Sequence, residues 1–211
     1  MEHMWKSMMI GVVLVGTGCS SSAPSSAPSG SAADAGSSAA AATYPAGPYG
    51  SDVGSTITNF SFPSLSPPDF AAGKAGTTKL GDFYDPTGAA GHKLLVVNMC
   101  SVWCLPCKDE FASLASKAGA YASKGVSIVS VLFENGQVKP ISIDEASAYA
   151  TERAATFPVA IDPQYQLTGL VRPVEIPAYV VVSARDMKVL GTIKVPSEVW
   201  SFVDQKLAEI H

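Results

Sequence analysis

Cysteine is scarce in this chain and histidine scarcer. Of 211 residues, four are Cys and three are His. There is one C-x-x-C, at Cys104 and Cys107, and no second pair. His3, His92 and His211 do not stand at ligand spacing, so the four ligands of a structural zinc site are missing and no metal is expected. His92 and His211 read as solvated residues of a loop and the terminus. Charge is sparse too, with 15% charged residues, and Lys plus Arg number 14 against 18 for Asp plus Glu. Without clustered basic residues there is no groove for phosphates, and a nucleic-acid partner is excluded. No run of eighteen apolar residues occurs, so a membrane-spanning helix is not expected. No internal repeat is visible. What the chain does have is 47% hydrophobic content, enough for one domain with a core.

The N-terminus divides from the rest by composition. Lys6 precedes a short apolar stretch, MMIGVVLVGTG, at residues 8–18, and residues 1–18 read as a secretory signal. Small residues Gly16, Thr17 and Gly18 lead into Cys19. This resembles a bacterial lipoprotein signal. The resemblance implies lipidation of Cys19, attachment to a membrane through that lipid, and a place on the periplasmic or cell-surface side. An ordinary leader with an incidental Cys19 is the alternative. Residues 19–53 are mostly Ser, Ala, Gly and Pro, which bury too little apolar surface to offset chain entropy, and read as a flexible tether. The domain is expected over 54–211. In an exported protein, disulfides persist unless actively reduced.

Within the domain, residues 59–63 alternate as an edge strand, and residues 77–80 can pair with them in an N-terminal hairpin. Residues 93–99 are continuously apolar, as in a strand buried on both faces. Helical spacing of Phe111, Leu114, Ala118 and Tyr121 predicts a helix over 106–124, closed by Gly125. A strand follows at 126–133. Ser142 and Glu145 form a capping box for a helix running to about 155. A strand at 157–161 and a short helix at 163–170, capped by Asp162, come next. Residues 178–183 and 188–195 form a hairpin, and a last helix buries Val199, Phe202, Val203, Leu207 and Ile210. This is an α/β fold: a central mixed sheet with helices on both faces, an N-terminal β-hairpin and a βα insert.

Three of the four cysteines lie in CSVWCLPCKDEF, residues 100–111. Cys104 falls between a buried strand and a helix start, with Pro106 in the first turn where its missing N–H costs nothing. Free N–H groups and the helix dipole favour a thiolate there, so the Cys104 pKa is expected to fall. Two cysteines three apart across a first turn can bridge. Cys104 is then the more exposed attacker and Cys107 the buried resolver, the asymmetry that thiol–disulfide exchange requires.

In that context VNMCSVWCLPCKDEF, residues 97–111, resembles the active-site segment of thioredoxin-fold proteins. More narrowly it is similar to the exported thiol–disulfide oxidoreductases of the TlpA/ResA type, in the AhpC/TSA–redoxin superfamily, whose segment reads V-N-F-W-A-T-W-C-x-P-C-x-x-E. The early hairpin, the insert near residues 140–161 and IPAYVVV at 176–182 extend the likeness over the domain. The resemblance implies a thioredoxin-like fold and a Cys104/Cys107 dithiol with no other cofactor. It also implies reduction of protein disulfides with electrons from an unidentified donor, by a monomeric domain. Pro177 takes the place of the family's cis-proline, beside Ile176, whose backbone would pair with substrate; an ordinary trans proline is the alternative. Trp103 and Pro106 would line the docking surface. Glu110 matches the family's acidic residue and would take the proton from Cys107, against the plainer reading of a solvated helix Glu. Asn98 stands where classical thioredoxins carry a buried Asp.

Cys100 departs from the family, which keeps an aromatic there. It is either a small buried hydrophobe or a third redox thiol able to capture Cys104 or Cys107. Three rival functions stay open. Cys100 and Cys104 have the spacing of the copper ligands in Sco-type proteins, although no downstream His is suitably placed. Ser101 partly matches the peroxide-orienting Thr of peroxiredoxins. A tethered binding domain with a structural disulfide is the third.

Overall fold

A computed structural model describes residues 43–210. The expected leader, Cys19, most of the expected tether and His211 lie outside the described residues. The elements, in order, are strands β1 (Ser61–Leu65), β2 (Gly76–Lys79) and β3 (Leu94–Cys100), helix α1 (Leu105–Ala122), β4 (Val126–Leu132), α2 (Ile143–Glu152), β5 (Val159–Ile161), β6 (Ala178–Ser183), β7 (Val189–Ile193) and α3 (Val199–Glu209). They form one seven-stranded mixed sheet in the order β2-β1-β5-β4-β3-β6-β7.

The strand with the longest apolar run takes the centre. All seven residues of β3 are buried, and β3 pairs parallel with β4 and antiparallel with β6, placing Val97 opposite Val129 and Val180. Strand alternation then divides the core into two layers. Leu94, Val96 and Cys100 face one layer together with Phe111 and Leu114 of α1, Tyr149 of α2 and Val203 of α3. Leu95, Val97 and Met99 face the other, with Phe62, Leu80 and Leu167. The three α-helices thus cover one face, and the 3-10 helices Leu80–Phe83 and Gln166–Gly169 lie over the other. This is the thioredoxin-like arrangement. Among the described residues, no helix is long and apolar enough to cross a membrane.

Most local signals act as expected. Ser142 and Glu145 complete the capping box of α2, Ser142 N donating to Glu145 Oε2 at 2.9 Å and Glu145 N to Ser142 Oγ at 3.3 Å. Gly125, three residues past the end of α1, has φ +88, and a Cβ there would stand 2.6 Å from the Gly91 carbonyl oxygen, so a larger residue meets both strain and a clash.

Four boundaries differ from expectation. β1 is not an edge strand, because β5 pairs with its far side through Ser64 and Leu65; β2 holds the edge. β5 starts at Val159, after Pro158, which has no N–H to give to a ladder. The helix expected at 163–170 is a 3-10 turn, Gln166–Gly169, after Tyr165 in the left-handed region at φ 56. Asp162 still caps it, accepting from Gln166 N at 2.9 Å and Leu167 N at 2.8 Å. Packed chain also begins before Gly54. The Tyr44 hydroxyl donates to the Ile57 carbonyl at 2.8 Å and its ring joins the second core layer, the aromatic supplying burial that its small neighbours lack.

Candidate active site

β3 delivers Cys100 as its last residue, and four residues later Cys104 caps α1. Its backbone is extended (φ -75, ψ 111), and its sulfur accepts from the Cys107 N–H at 3.3 Å, in the place where a Ser or Asp side chain usually sits. Leu105 and Pro106 occupy the first turn, so Cys107 faces inward. Across the site lies the loop before β6, with a cis bond between Ile176 and Pro177. The Cys104 thiol points to the Ile176 carbonyl oxygen at 3.8 Å. Cys104 thus stands between the amide end of a helix and the carbonyl of a facing loop.

Accessibility orders the three thiols. Cys104 is 4% exposed and Cys107 and Cys100 are 0%, and all three are unbridged. Cys104 is therefore the more exposed of the pair, as the sequence suggested, but only by a small margin. Its acidity runs against expectation. Burial and a hydrogen bond with the Cys107 thiol push Cys104 up to about 12, and the single helix N–H pulling it down does not compensate. Cys107 is also raised, first by a hydrogen bond with the Cys100 thiol and then by burial.

This has a consequence for stability. A thiol that stays protonated in the fold but ionises in the unfolded chain near pH 8.5 leaves the unfolded state with fewer bound protons above that pH. Stability of the reduced protein should therefore fall as pH rises from 8 to 10. The Cys104–Cys107 disulfide form, with no such protons to lose, should fall less. Urea midpoints of both forms across that range test this; parallel curves would contradict it.

The other expected residues are placed as follows. Trp103 is 38% exposed beside Cys104, and its indole N–H donates to Glu134 Oε2 at 2.7 Å. Pro106 is exposed on the first turn. Glu110 is half-buried, and its carboxylate accepts from the Tyr179 hydroxyl at 2.6 Å rather than from a thiol. Asn98 is buried and accepts from Ser130 Oγ at 2.8 Å. His92 is not a solvated loop residue: it is half-buried, and its Nδ1 bonds Ser127 Oγ at 2.8 Å. It lines a cavity of about 290 Å³ beside the starts of β3 and β4, away from the thiols. Among the described residues no three His, Cys, Asp or Glu side chains are grouped to hold a metal ion.

Sequence reasoning passed over three residues. Tyr179 and Tyr149 are buried beside the thiols. Burial raises both hydroxyls first; the Glu110 carboxylate then raises Tyr179, and a charge on Cys100 or Cys107 would raise either further. Tyr179 carried a weak signal, being a polar-tipped aromatic inside an otherwise apolar strand. Glu134 holds the Trp103 indole and, through Oε1, the Tyr165 hydroxyl at 2.9 Å; nothing local in the sequence marks it. Leu105 (71%) and Trp103, the chain neighbours of Cys104, remain exposed, as does Val174 (82%), two residues before Ile176.

Residues 53–189 match the AhpC/TSA family. No curated protein matches the chain. Solved structures do match. A candidate thiol:disulfide interchange protein DsbE from Chlorobium tepidum superposes with TM-score 0.57 at 20% identity, over 74% of this chain and 98% of that one. A secreted thiol-disulfide isomerase from Corynebacterium glutamicum gives 0.56 at 16%, over 74% and 87%. AhpC from Enterococcus faecalis gives 0.54 at 14%, over 75% and 95%. At these identities the likeness speaks for the fold.

Proposed function

The chain belongs to the AhpC/TSA family, and from that premise we propose that it is an exported thiol–disulfide oxidoreductase that reduces protein disulfides through Cys104 and Cys107. The observation that carries this reading is the placement of Cys104: its sulfur is held by the Cys107 N–H and faces the Ile176 carbonyl, between chain neighbours Trp103 and Leu105 that stay exposed. An extended polypeptide suits such a placement better than a small peroxide, because apolar contact and backbone pairing need chain length.

In the forward step Cys104 gives up its proton and its sulfur attacks one sulfur of the substrate disulfide, while the other substrate sulfur leaves as thiolate and takes up a proton in its place. Cys107 then attacks Cys104, freeing the second substrate thiol and closing the Cys104–Cys107 disulfide. Cys107 must lose its proton for this. Glu110, positioned by the Tyr179 hydroxyl, is the acceptor in this proposal. Two electrons pass to the substrate, and an external dithiol restores the site.

The raised thiols favour the reducing direction. An oxidant such as DsbA owes its potential to a stabilised reduced form with an acidic thiolate. Here burial stabilises neither thiolate, so the reduced form gains no such advantage. Lipid attachment through Cys19 places the domain at a membrane surface in this reading.

Reduction of insulin, with dithiothreitol as electron source, tests the activity, and peroxide consumption run in parallel tests its main competitor. Catalysed insulin reduction with little peroxide turnover is the expected result. Peroxide consumption without disulfide reduction would overturn the reading.

A further inference from the structure

The start of β6 reaches the redox site at two points. Ile176 turns its carbonyl toward the Cys104 thiol at 3.8 Å, and three residues on the Tyr179 hydroxyl donates to Glu110 Oε2 at 2.6 Å. Among the described residues Tyr179 is the largest side chain that is fully buried. It pairs with Asn98 of β3 and Ile193 of β7, and it lies in the same core layer as Cys104 and Cys107. A Phe would fill that space equally well. A phenolic hydroxyl in the core costs free energy unless it is bonded, and this one spends its bond on a carboxylate 69 residues away. Glu110 follows Cys107 by three residues on α1, so the two side chains share a side of the helix. Among the described residues Glu110 forms no ion pair. No cation sets where its carboxylate points; the Tyr179 hydroxyl does.

We propose that Tyr179 is a positioning residue for the resolving step: its hydroxyl holds the Glu110 carboxylate for the Cys107 proton, and it takes no part in the first attack by Cys104. This rests on the Cys104/Cys107 reading above and divides its two steps between different groups. In the resolving step Cys107 gives its proton to Glu110 and its sulfur attacks the Cys104 sulfur. The Cys104–Cys107 bond forms, the bond from Cys104 to substrate breaks, and the electron pair leaves with the substrate thiolate, which takes the proton back from Glu110. The first attack uses other contacts, the Cys107 N–H and the Ile176 carbonyl at the Cys104 sulfur.

The division has a pH signature. Resolution should rise with pH as the Glu110 carboxylate becomes free to accept. A hydrogen bond to the charged form favours that form, so without the Tyr179 hydroxyl the rise should come at higher pH. The surroundings leave few other groups to produce it. Three or four residues from Glu110 along α1, Cys107 is the one titratable side chain. In the same core layer β3 adds Cys100, α2 adds Tyr149 with Arg153 over its ring at 5.5 Å, and α3 adds the apolar Val199 and Val203. On β7 the residue after Ile193 is Lys194, which is paired with Glu175 at 3.0 Å. Burial pushes Cys104 up to about 12, and Cys107 is raised as well, so a rise between acid and neutral pH belongs to neither thiol.

The test follows thionitrobenzoate release when the reduced full chain, carrying Cys19→Ser to leave only the site thiols, meets one equivalent of dithiobis-nitrobenzoate. Attack by Cys104 releases the first thionitrobenzoate and resolution by Cys107 the second, so each step has its own phase. In Tyr179→Phe the first phase should stay within about twofold, while the second slows roughly tenfold, the scale of one hydrogen bond to a charged group, and its pH midpoint moves up. Glu110→Gln should slow the second phase by about 10²-fold and flatten its pH profile. The double variant should be no slower than Glu110→Gln, because the two side chains act as one unit. A urea transition checks that each variant is folded. If Tyr179→Phe leaves the second phase and its midpoint unchanged, or slows both phases alike, while Glu110→Gln slows the second, Tyr179 has no positioning role and the proposed function stands. If Glu110→Gln is also without effect, both residues lose their roles and the Cys104/Cys107 cycle stands. If the unsubstituted protein gives no second release, the cycle itself fails.

Discussion

Replacing Cys104 by serine should lower insulin reduction by roughly 10³-fold or more, the scale of loss expected when a catalytic nucleophile is removed. A hydroxyl does not ionise near neutral pH and does not form the mixed disulfide. The substitution is also structurally mild, which makes the experiment clean. The Cys104 sulfur caps α1 by accepting the Cys107 N–H, and serine is a preferred residue for that role. The unfolding free energy from urea titration should therefore change by no more than about 1 kcal/mol, the usual worth of a cap. Cys107→Ala is expected to behave differently. The first attack survives, resolution does not, and a mixed disulfide with substrate accumulates as a higher band on non-reducing gels. Insulin reduction at full rate by Cys104→Ser would refute the mechanism, and an inactive but unfolded variant would be recognised by its lost urea transition.

The largest effect on stability should come from Phe111→Ala, about 3–5 kcal/mol by the cost of truncating a buried aromatic. Phe111 is fully buried on the inner face of α1. Its ring meets Tyr149 of α2 edge-on, with centroids 5.1 Å apart and planes at 75°, and Phe157 at the same separation. The contact joins three elements: the helix that carries Cys107, the helix of the insert and the approach to β5. Small domains have only about 5–15 kcal/mol in reserve, so the variant should show a strongly lowered urea midpoint and a disulfide site that labels faster. Asp109→Ala, on the exposed side of the same helix, should stay within about 0.5 kcal/mol. A Phe111→Ala cost below that of Asp109→Ala would mean that α1 does not depend on this contact.

The sequence by itself determined the elements whose information is local. The unbroken apolar run before Cys100 became the central strand, the spacing of Phe111, Leu114, Ala118 and Tyr121 became the buried face of α1, and Ser142 with Glu145 capped α2. Periodicity and capping act within a few residues, so they can be read along the chain. The proximity of Cys100, Cys104 and Cys107 was legible for the same reason, since seven residues link them. Tertiary structure decided what depends on neighbours distant in sequence. β1 became an inner strand because β5, some 95 residues on, pairs with it. Glu110 bonds Tyr179, 69 residues away, and Trp103 bonds Glu134, 31 away. Thiol acidity belongs to this second group. A helix start favours the thiolate, but desolvation depends on how the facing loop and the surrounding core close over the sulfur, and here burial prevails. Cys100 shows both sides. Its place in the chain set it near Cys104 and Cys107, and the strand's alternation put it in the core layer that α1 covers.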